Sequence, residues 1–312
     1  MKRLFAAALL LASVASTQGV AVAAASCDRA CLNRMVDSYL AALVAHDPSK
    51  VPIAPSAKFV ENTVPKKPGE GLWKSATAVP TTFKIYVPDP TAQQVGFLGV
   101  MTEDNKPIEL GLRLKLHDGR IVEMEHLIAG NLPERSLQNL QTPRPGLLTT
   151  VPPAERTPHA QLLTIGASYY EALVSADSND APFADDCLRR ENGMQTTGNP
   201  PPASPGRASL GALGCRAQLF TGSLSYIKRI EPRRVEIADP ETGLVFGLSQ
   251  FRHPMEEKKL KIVGVPGVES IDMNFNPFDL PAAHIYKIRG GKIHEIEAMG
   301  FMMPYNSRTG WE

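Results

Sequence analysis

Residues 39–62 read YLAALVAHDPSKVPIAPSAKFVEN, residues 169–192 read YYEALVSADSNDAPFADDCLRREN, and the two stretches align without a gap. Nine of the 24 aligned positions are identical, and both stretches end in Glu-Asn. Similarity at a constant offset within one chain indicates a structural unit that occurs twice. We therefore predict a fold built from two copies of one unit.

Two further segments repeat in the same order, with a growing offset. The offset is 130 residues for the first pair and 150 for the Asp-Pro at 89–90 against that at 239–240. It is 172 for the last pair, LKLHDGRIVEMEHL against YKIRGGKIHEIEAM. This growth predicts insertions in the second copy, near residues 193–215 and 254–281.

Each copy is predicted to open with a helix and to continue as a sheet. Apolar residues recur at helical spacing between residues 35 and 44, and the His-Asp-Pro at 46–48 ends the helix. Asp-Gly at 118–119 and Gly-Gly at 290–291 each join two alternating segments, which predicts tight hairpins. Each unit is therefore expected to be α+β, with a helix packed on one face of an antiparallel sheet.

The chain is predicted to divide into two domains joined by a proline-rich linker. Residues 142–158 carry five prolines, which disfavour a helix. The first unit then spans residues 26–141, and the second unit, with the insertions, spans residues 159–312. We expect the two units to pair sheet to sheet.

The first 25 residues have the pattern of an export signal. Lys2 and Arg3 precede an apolar run, and three alanines precede a predicted cut after Ala25. The mature protein is then expected to be secreted or periplasmic. A lipoprotein acylated at Cys27 is the alternative, although Ala24 is a poor residue for the start of a lipobox.

Four cysteines in an exported chain are most simply explained by two disulfides, and three pairings are possible. Cys27 and Cys31 lie four residues apart, while Cys187 and Cys215 flank a loop rich in Pro, Gly and Ser. We therefore predict the pairs Cys27–Cys31 and Cys187–Cys215. A zinc site is the alternative, but the chain has no C-x-x-C pair, so we predict no metal site.

The charge balance argues against a nucleic-acid-binding protein. Removal of residues 1–25 leaves 31 basic against 32 acidic residues, with no basic excess.

After the leader, the sequence has no apolar run of the length that a membrane-spanning helix needs, so the mature protein should be soluble. Serine-hydrolase, nucleotide-binding and zinc-protease motifs do not occur, and we predict no cofactor.

The order of these elements resembles that of a known superfamily. A leading helix, a segment ending in Glu-Asn and a closing strand with the pattern D-G-R/K-I-x-E-x-E are similar to the SnoaL-like, nuclear-transport-factor-2-like proteins. CDRACL, AHDPS, GLW at 71–73 and MPYNSRTGW at 303–311 resemble a secreted family of tandem units whose activity is uncharacterised. The resemblance implies two tandem cone-shaped α+β barrels, each a curved antiparallel sheet wrapped by helices around a pocket. It implies no single activity, since the superfamily includes dehydratases, isomerases, polyketide cyclases and binding modules.

Polar residues on the inner sheet face are the candidates for chemistry in such a fold. Strand alternation places His126 inside the first cone, and His284 and Tyr286 inside the second, where the first copy has two leucines. His294 is expected to point into or beside the second cone. An imidazole can act as a general base near neutral pH. The alternative is a histidine that is hydrogen-bonded within the core.

Each copy also has a polar pair where the chain enters the sheet. Glu61-Asn62 and Glu191-Asn192 could hold a ligand hydroxyl or carbonyl, and Arg190 could pair with an acidic group. The alternative is a capping or hinge hydrogen bond that the fold requires in both copies.

Two further sets of residues could contact a ligand. Glu123 with Glu125, and Glu295 with Glu297, share the opposite strand face. We expect Glu123 and Glu295 to be solvated, while solvation and acid-base chemistry both remain open for the other two. Trp73 could stack on a ligand ring or pack onto the domain.

These observations lead to one hypothesis and two alternatives. The leading hypothesis is a cofactor-independent, dehydratase-like lyase or isomerase that acts on a small hydroxylated or carbonyl compound. Its candidate catalytic residues are His284, Tyr286, Glu191, His126 and Glu61, and its candidate ligand-binding residues are Arg190, Asn192, Asn62, Trp73 and Glu297. The first alternative is a non-catalytic module or scaffold that binds a small ligand; no particular protein partner is indicated. The second is that only the second copy is active.

Overall fold

The computed structural model describes residues 26–312, so the predicted export signal at residues 1–25 lies outside the described residues. The described chain forms two seven-stranded sheets and few helices, an α+β fold. Among residues 26–312, no helix is both long enough and apolar enough to cross a bilayer.

The first sheet follows one long helix. Its strand order is β2-β1-β7-β6-β5-β3, and β4 also pairs with β5. The elements are α1 (Arg29–Val44), a 3-10 turn (Pro48–Lys50), β1 (Ile53–Glu61), β2 (Val64–Lys66), α2 (Leu72–Ser75), β3 (Ala76–Ala78), β4 (Lys84–Asp89), β5 (Gln94–Glu103), β6 (Lys106–His117) and β7 (Arg120–Ala129).

The second sheet has the same plan with added segments. Its order is β10-β11-β14-β15-β8-β9, with β16 paired to β14, and the hairpin β12–β13 stands apart. The elements are α3 (Glu134–Asn139), α4 (Pro145–Leu148), a 3-10 turn (Pro153–Glu155), α5 (His159–Ser175), β8 (Phe183–Glu191), β9 (Met194–Gln195), a 3-10 helix (Arg207–Ala212), α6 (Cys215–Phe220), β10 (Arg229–Asp239), β11 (Leu244–His253), β12 (Lys259–Lys261), β13 (Ser270–Asp272), β14 (Phe278–Arg289), β15 (Lys292–Gly300) and β16 (Met303–Pro304).

Two sequence-based expectations about secondary structure need correction. The sheets are mixed rather than antiparallel, because β1 runs parallel to β7 and β8 runs parallel to β15. No hairpin joins the strands of either pair, so their relative direction is not fixed by a turn. The linker at 142–158 contains two short turns, α4 and the 3-10 turn Pro153–Glu155, and in α4 Pro145 takes the first position, where a missing N–H is tolerated.

The long helices α1 and α5 each bury one face against a sheet. The Asp28 side chain caps α1 by accepting a hydrogen bond from the Cys31 backbone N–H at 2.8 Å. The buried faces include Leu32, Val36, Tyr39 and Leu43 in α1, and Leu162, Tyr169, Tyr170 and Leu173 in α5. We call the sheet faces beneath these helices the inner faces.

The opposite, outer faces of the two sheets pack on each other, as expected. Their shared apolar cluster includes Phe83, Ile85, Val87, Leu98, Ile237, Phe246, Leu248, Ala283, Ile285 and Met299. Phe246 lies so close to Gly96 that a Cβ there would come within 2.3 Å of its ring. Ion pairs also join the two halves, including Arg234–Glu125 at 2.5 Å and Arg29–Asp239 at 2.6 Å.

Both predicted disulfides are confirmed, which is consistent with an oxidising environment outside the cytoplasm. The Cys27–Cys31 bond closes a separation of four residues at the start of α1. The Cys187–Cys215 bond closes a separation of 28 residues and ties α6, part of an insertion, to β8.

The two disulfides should contribute unequally to stability. In the chain-entropy model the longer loop is worth roughly 3.5 kcal/mol and the shorter about 2 kcal/mol. We expect the double variant Cys187→Ala/Cys215→Ala to lose more unfolding free energy in urea than Cys27→Ala/Cys31→Ala. An equal or reversed loss would show that the longer disulfide is not what holds α6 on the sheet.

Candidate functional site

A cavity of about 400 Å³ lies on the inner face of the second sheet, and we call it the second-sheet cavity. α5, α6, the hairpin β12–β13 and the inner faces of β8, β11, β14 and β15 enclose it. Its walls are mostly apolar and include Leu173, Leu210, Leu224, Ile227, Phe251, Ile271, Met273, Phe275 and Leu280. This size and lining are typical of a pocket for a small organic molecule.

The cavity exists because the two copies have different residues at equivalent positions. Strand pairing sets Glu191 opposite Ala298 in the second sheet, whereas Glu61 lies opposite His126 in the first. The small Ala298 side chain therefore lines open space at the position that an imidazole ring fills in the first copy. In the first copy Trp73 fills further volume, because its ring contacts that of Tyr39 with centroids 5.1 Å apart.

The first copy brings two predicted catalytic residues together inside its core. His126 Nε2 lies 2.9 Å from Tyr39 Oη, and His126 Nδ1 lies 3.1 Å from Glu61 Oε2. Burial favours the neutral carboxyl, but the hydrogen bond and charge of His126, together with the Leu72 N–H and the charge of Lys66, outweigh it and lower the pKa of Glu61. The side chains of His126 and Trp73 are almost wholly buried, so this cluster packs the core.

His284 is the predicted catalytic residue that lies on the wall of the second-sheet cavity. Its Nδ1 lies 3.1 Å from Tyr170 Oη, and no residue within 26–312 makes a hydrogen bond to its Nε2. Burial, together with the positive charge of Arg189, lowers the pKa of His284 to about 3. The imidazole is therefore neutral near pH 7.

Tyr286 stands behind His284 and does not line the cavity. The two rings stack nearly parallel, with an interplanar angle of 7° and centroids 5.8 Å apart. Tyr286 is fully buried, and burial raises its pKa well above the usual value. Tyr286 therefore packs against the His284 ring and does not reach the cavity.

A second histidine of the cavity, His253, was not predicted. It ends β11, next to the predicted insertion, and its ring packs on that of Phe278 with centroids 4.5 Å apart. Burial lowers its pKa to about 4, against an opposing contribution from Asp279. The alternation of Phe251 and His253 along one strand face was the available signal.

Arg189, rather than the predicted Arg190, points into the second-sheet cavity. Side chains alternate along β8, so Arg189 and Glu191 share the inner face and Arg190 takes the outer one. Arg190 instead lies in a separate groove beside the linker, near His294. Glu191, a predicted catalytic residue, reaches the cavity mouth with a side chain that is 52% exposed.

Asn62 and Asn192 have matching structural roles. Each has a left-handed backbone, with φ of 46° and 45°. Asn62 Oδ1 accepts a hydrogen bond from the Ile128 N–H and Asn192 Oδ1 from the Gly300 N–H, both at 2.8 Å. This arrangement agrees with a hinge that the fold uses twice, although Asn192 also lines the cavity.

His294 and the paired glutamates lie away from the second-sheet cavity. The β14–β15 register shifts between Lys287 and Ile288, so His294 sits at a bulge that interrupts the alternation of β15. It contacts Asp186 at 2.6 Å outside the cavity. Glu297 is buried on the outer face with Arg144 at 3.1 Å. Glu295, which was expected to be solvated, also contacts Arg144 at 3.1 Å.

The buried His253 should make stability depend on pH. A histidine with a pKa of about 4 when folded and 6.5 when unfolded gives stability that is complete above pH 6.5 and is lost as pH falls toward 4. We expect His253→Phe, which also removes a buried Nδ1 without a partner, to be neutral or stabilising near pH 7. When the pH falls from about 7 to 5, this variant should lose roughly 2 kcal/mol less unfolding free energy than wild type.

The control for this measurement is the exposed His117. His117→Gln should keep the wild-type pH dependence in urea unfolding, since its side chain is 78% exposed. An unchanged pH dependence in His253→Phe would contradict the buried neutral imidazole.

Comparisons with known proteins give limited matches. Residues 155–300, slightly less than half of the chain, match the model of a domain of unknown function, DUF8021. No curated protein matches the chain.

Two solved structures align with about half of the chain. One is a protein from Silicibacter sp. TM1040 provisionally described as a polyketide cyclase, at 10% identity and a TM-score of 0.27, covering 46% of this chain and 90% of that one. The other is AclR from Streptomyces galilaeus, provisionally described as a hydroxylase, at 11% identity and a TM-score of 0.27. The alignment covers 47% of this chain and 83% of that one. Similarity at this level carries no argument about activity.

Proposed function

We propose that the second-sheet cavity is the active site of a cofactor-independent lyase or isomerase that acts on a small hydroxylated or carbonyl compound. The observation that carries this proposal is His284, whose Nδ1 contacts Tyr170 while its Nε2 has no partner within residues 26–312 on the wall of an open cavity. A general base needs its acceptor nitrogen at the substrate and its other nitrogen held by a fixed group.

The Tyr170 contact supports one useful tautomer of His284. If Nδ1–H donates to Tyr170 Oη, the Nε2 lone pair faces the cavity and can take a proton from a carbon next to a carbonyl. The low pKa makes the free imidazole a weak base. Proton transfer, however, leaves negative charge on the carbonyl oxygen of the substrate, close to the new imidazolium of His284. The attraction between these two charges offsets the cost of a buried imidazolium.

Donors for the developing negative oxygen are close to His284. The ring centroids of Tyr169 and His284 are 5.7 Å apart, and Tyr169 Oη lies 3.5 Å from Arg189 Nη1. Because Tyr169 accepts from Arg189, its own O–H is available to the substrate oxygen. The apolar walls exclude water, which strengthens such hydrogen bonds.

We further propose that the chain is exported and that both halves are cone-shaped, SnoaL-like domains separated by the linker at residues 142–158. In this proposal the first domain is structural, because the buried Tyr39, Trp73 and His126 occupy its interior. The alternative function, a non-catalytic binding module, uses the same cavity without proton transfer.

Substitution of His284 separates catalysis from binding. We expect sugars, lactones or small phenolics that fit the cavity to raise the melting temperature of the oxidised protein. At a hundredfold excess over Kd the gain is about 2.7 kcal/mol. For a compound that stabilises the protein, we expect exchange of its carbon-bound hydrogen in D2O, followed by NMR, to fall about 10²-fold or more in His284→Gln.

The matched control is His294→Gln, a histidine outside the cavity. It should leave both the melting shift and the hydrogen exchange unchanged. A compound that binds without any exchange in wild type would favour the non-catalytic module, and exchange that survives in His284→Gln would remove His284 from the mechanism.

A further inference from the structure

The second-sheet cavity contains a buried positive charge that the first copy lacks. Arg189 pairs in register with Ile296, as Phe59 pairs with Met124 in the first sheet, so a guanidinium stands where the first copy has a phenyl ring. The Arg189 side chain is only 5% exposed. A charge at such a position is costly unless nearby groups or a ligand compensate for it.

The neighbours of Arg189 fix its position but do not use all of its N–H groups. Nε lies 3.0 Å from Thr196 Oγ1 and 2.9 Å from Glu191 Oε1. Nη2 donates to Gln218 Oε1, and Nη1 makes a long contact of 3.5 Å with Tyr169 Oη. A guanidinium has five N–H groups, so one N–H remains on each terminal nitrogen. Two such groups match the two oxygens of a carboxylate.

The acidic partner of Arg189 lies toward solvent. Glu191 is half-exposed at the cavity mouth, so solvent screens its charge. The other groups that contact the guanidinium, from Thr196, Gln218 and Tyr169, are neutral, and the lining of the cavity is mostly apolar. The charged lining of the cavity comprises the buried Arg189, the exposed Arg207 and Glu191, so Arg189 is its buried cation and stands beside an apolar surface.

We propose that the second-sheet cavity selects an apolar-bodied carboxylate, which binds Arg189 through its carboxylate and places its hydrocarbon part against the apolar wall beside His284. This inference rests on the proposed function for the site, and it adds the substrate class.

The proposal also connects binding to the basicity of His284. The charge of Arg189 adds to burial in lowering the pKa of His284. A carboxylate on Arg189 would cancel that part of the effect, so the imidazole would become a stronger base when the cavity is occupied.

Matched acids and amides test the proposal. The probes are benzoate and phenylacetate, with benzamide and phenylacetamide as neutral analogues, titrated calorimetrically into the oxidised protein at low salt. We expect wild type to prefer each acid over its amide by about tenfold or more. Arg189→Met should abolish this preference. Arg189→Lys, which keeps the positive charge but loses the paired N–H donors of the guanidinium, should retain part of it.

Arg190→Met is the control, since it removes the neighbouring arginine on the opposite face of β8 and should leave the preference unchanged. Near-ultraviolet circular dichroism checks the folding of each variant. Because the acid-to-amide ratio is measured first in wild type, the test holds even if Arg189→Met does not fold. Equal binding of acids and amides, no acid binding up to about 1 mM, or an unchanged preference in Arg189→Met would overturn the proposal.

The outcomes distinguish this inference from the proposed function. If acids bind through Arg189 but no bound acid exchanges its carbon-bound hydrogen, the inference stands and the lyase or isomerase function fails. If neutral carbonyl compounds exchange with a rate that depends on His284 while acids do not bind, the function stands and the inference fails.

Discussion

The volume enclosed between a long helix and its sheet is the constraint on which the whole structure depends. Strand pairing fixes that volume in both copies, and the inner-face side chains either fill it or leave it open. In the first copy Tyr39, Trp73 and His126 fill it with buried rings and a hydrogen-bonded Glu61. In the second copy Ala298 lines a cavity of about 400 Å³. The same unit therefore yields a packed core once and a candidate site once.

The outer faces determine how the two halves hold together. Phe246 fits against Gly96, and Glu125 meets Arg234 from the other sheet at 2.5 Å. This interface also holds Glu109, which is fully buried without a hydrogen bond to either carboxyl oxygen. Burial and the nearby Glu297 raise the pKa of Glu109 well above its usual value, because both disfavour the charged carboxylate. Glu125, Arg234 and Glu109 therefore lie in the contact between the two sheets.

Repeats and periodicity predicted much of the fold. The α+β class, the two hairpins, both disulfide pairings and the inner-face position of His284 follow from local patterns. The mixed sheets did not, because the pairings of β1 with β7 and of β8 with β15 join strands that are distant in sequence. Contacts of that kind leave no local signal.

The candidate site was predicted in part, for similar physical reasons. Strand alternation identified His284, but a single-residue bulge at His294 changed the face of that side chain. The sequence does not fix where the alternation of β8 begins, so it does not distinguish Arg189 from Arg190 as the arginine on the inner face. His253 and Tyr170 reach His284 or its cavity from other elements, so only the folded chain brings them together.

We infer that the small side chain of Ala298 keeps the second-sheet cavity open for a ligand. Calorimetric titration of the best-stabilising compound into Ala298→His tests this inference, because the variant has at this position the residue type of the first copy. We expect the folded variant to bind at least about tenfold more weakly than wild type, since the imidazole would occupy the space of the ligand. Unchanged affinity in the folded variant would contradict it and would place the ligand elsewhere.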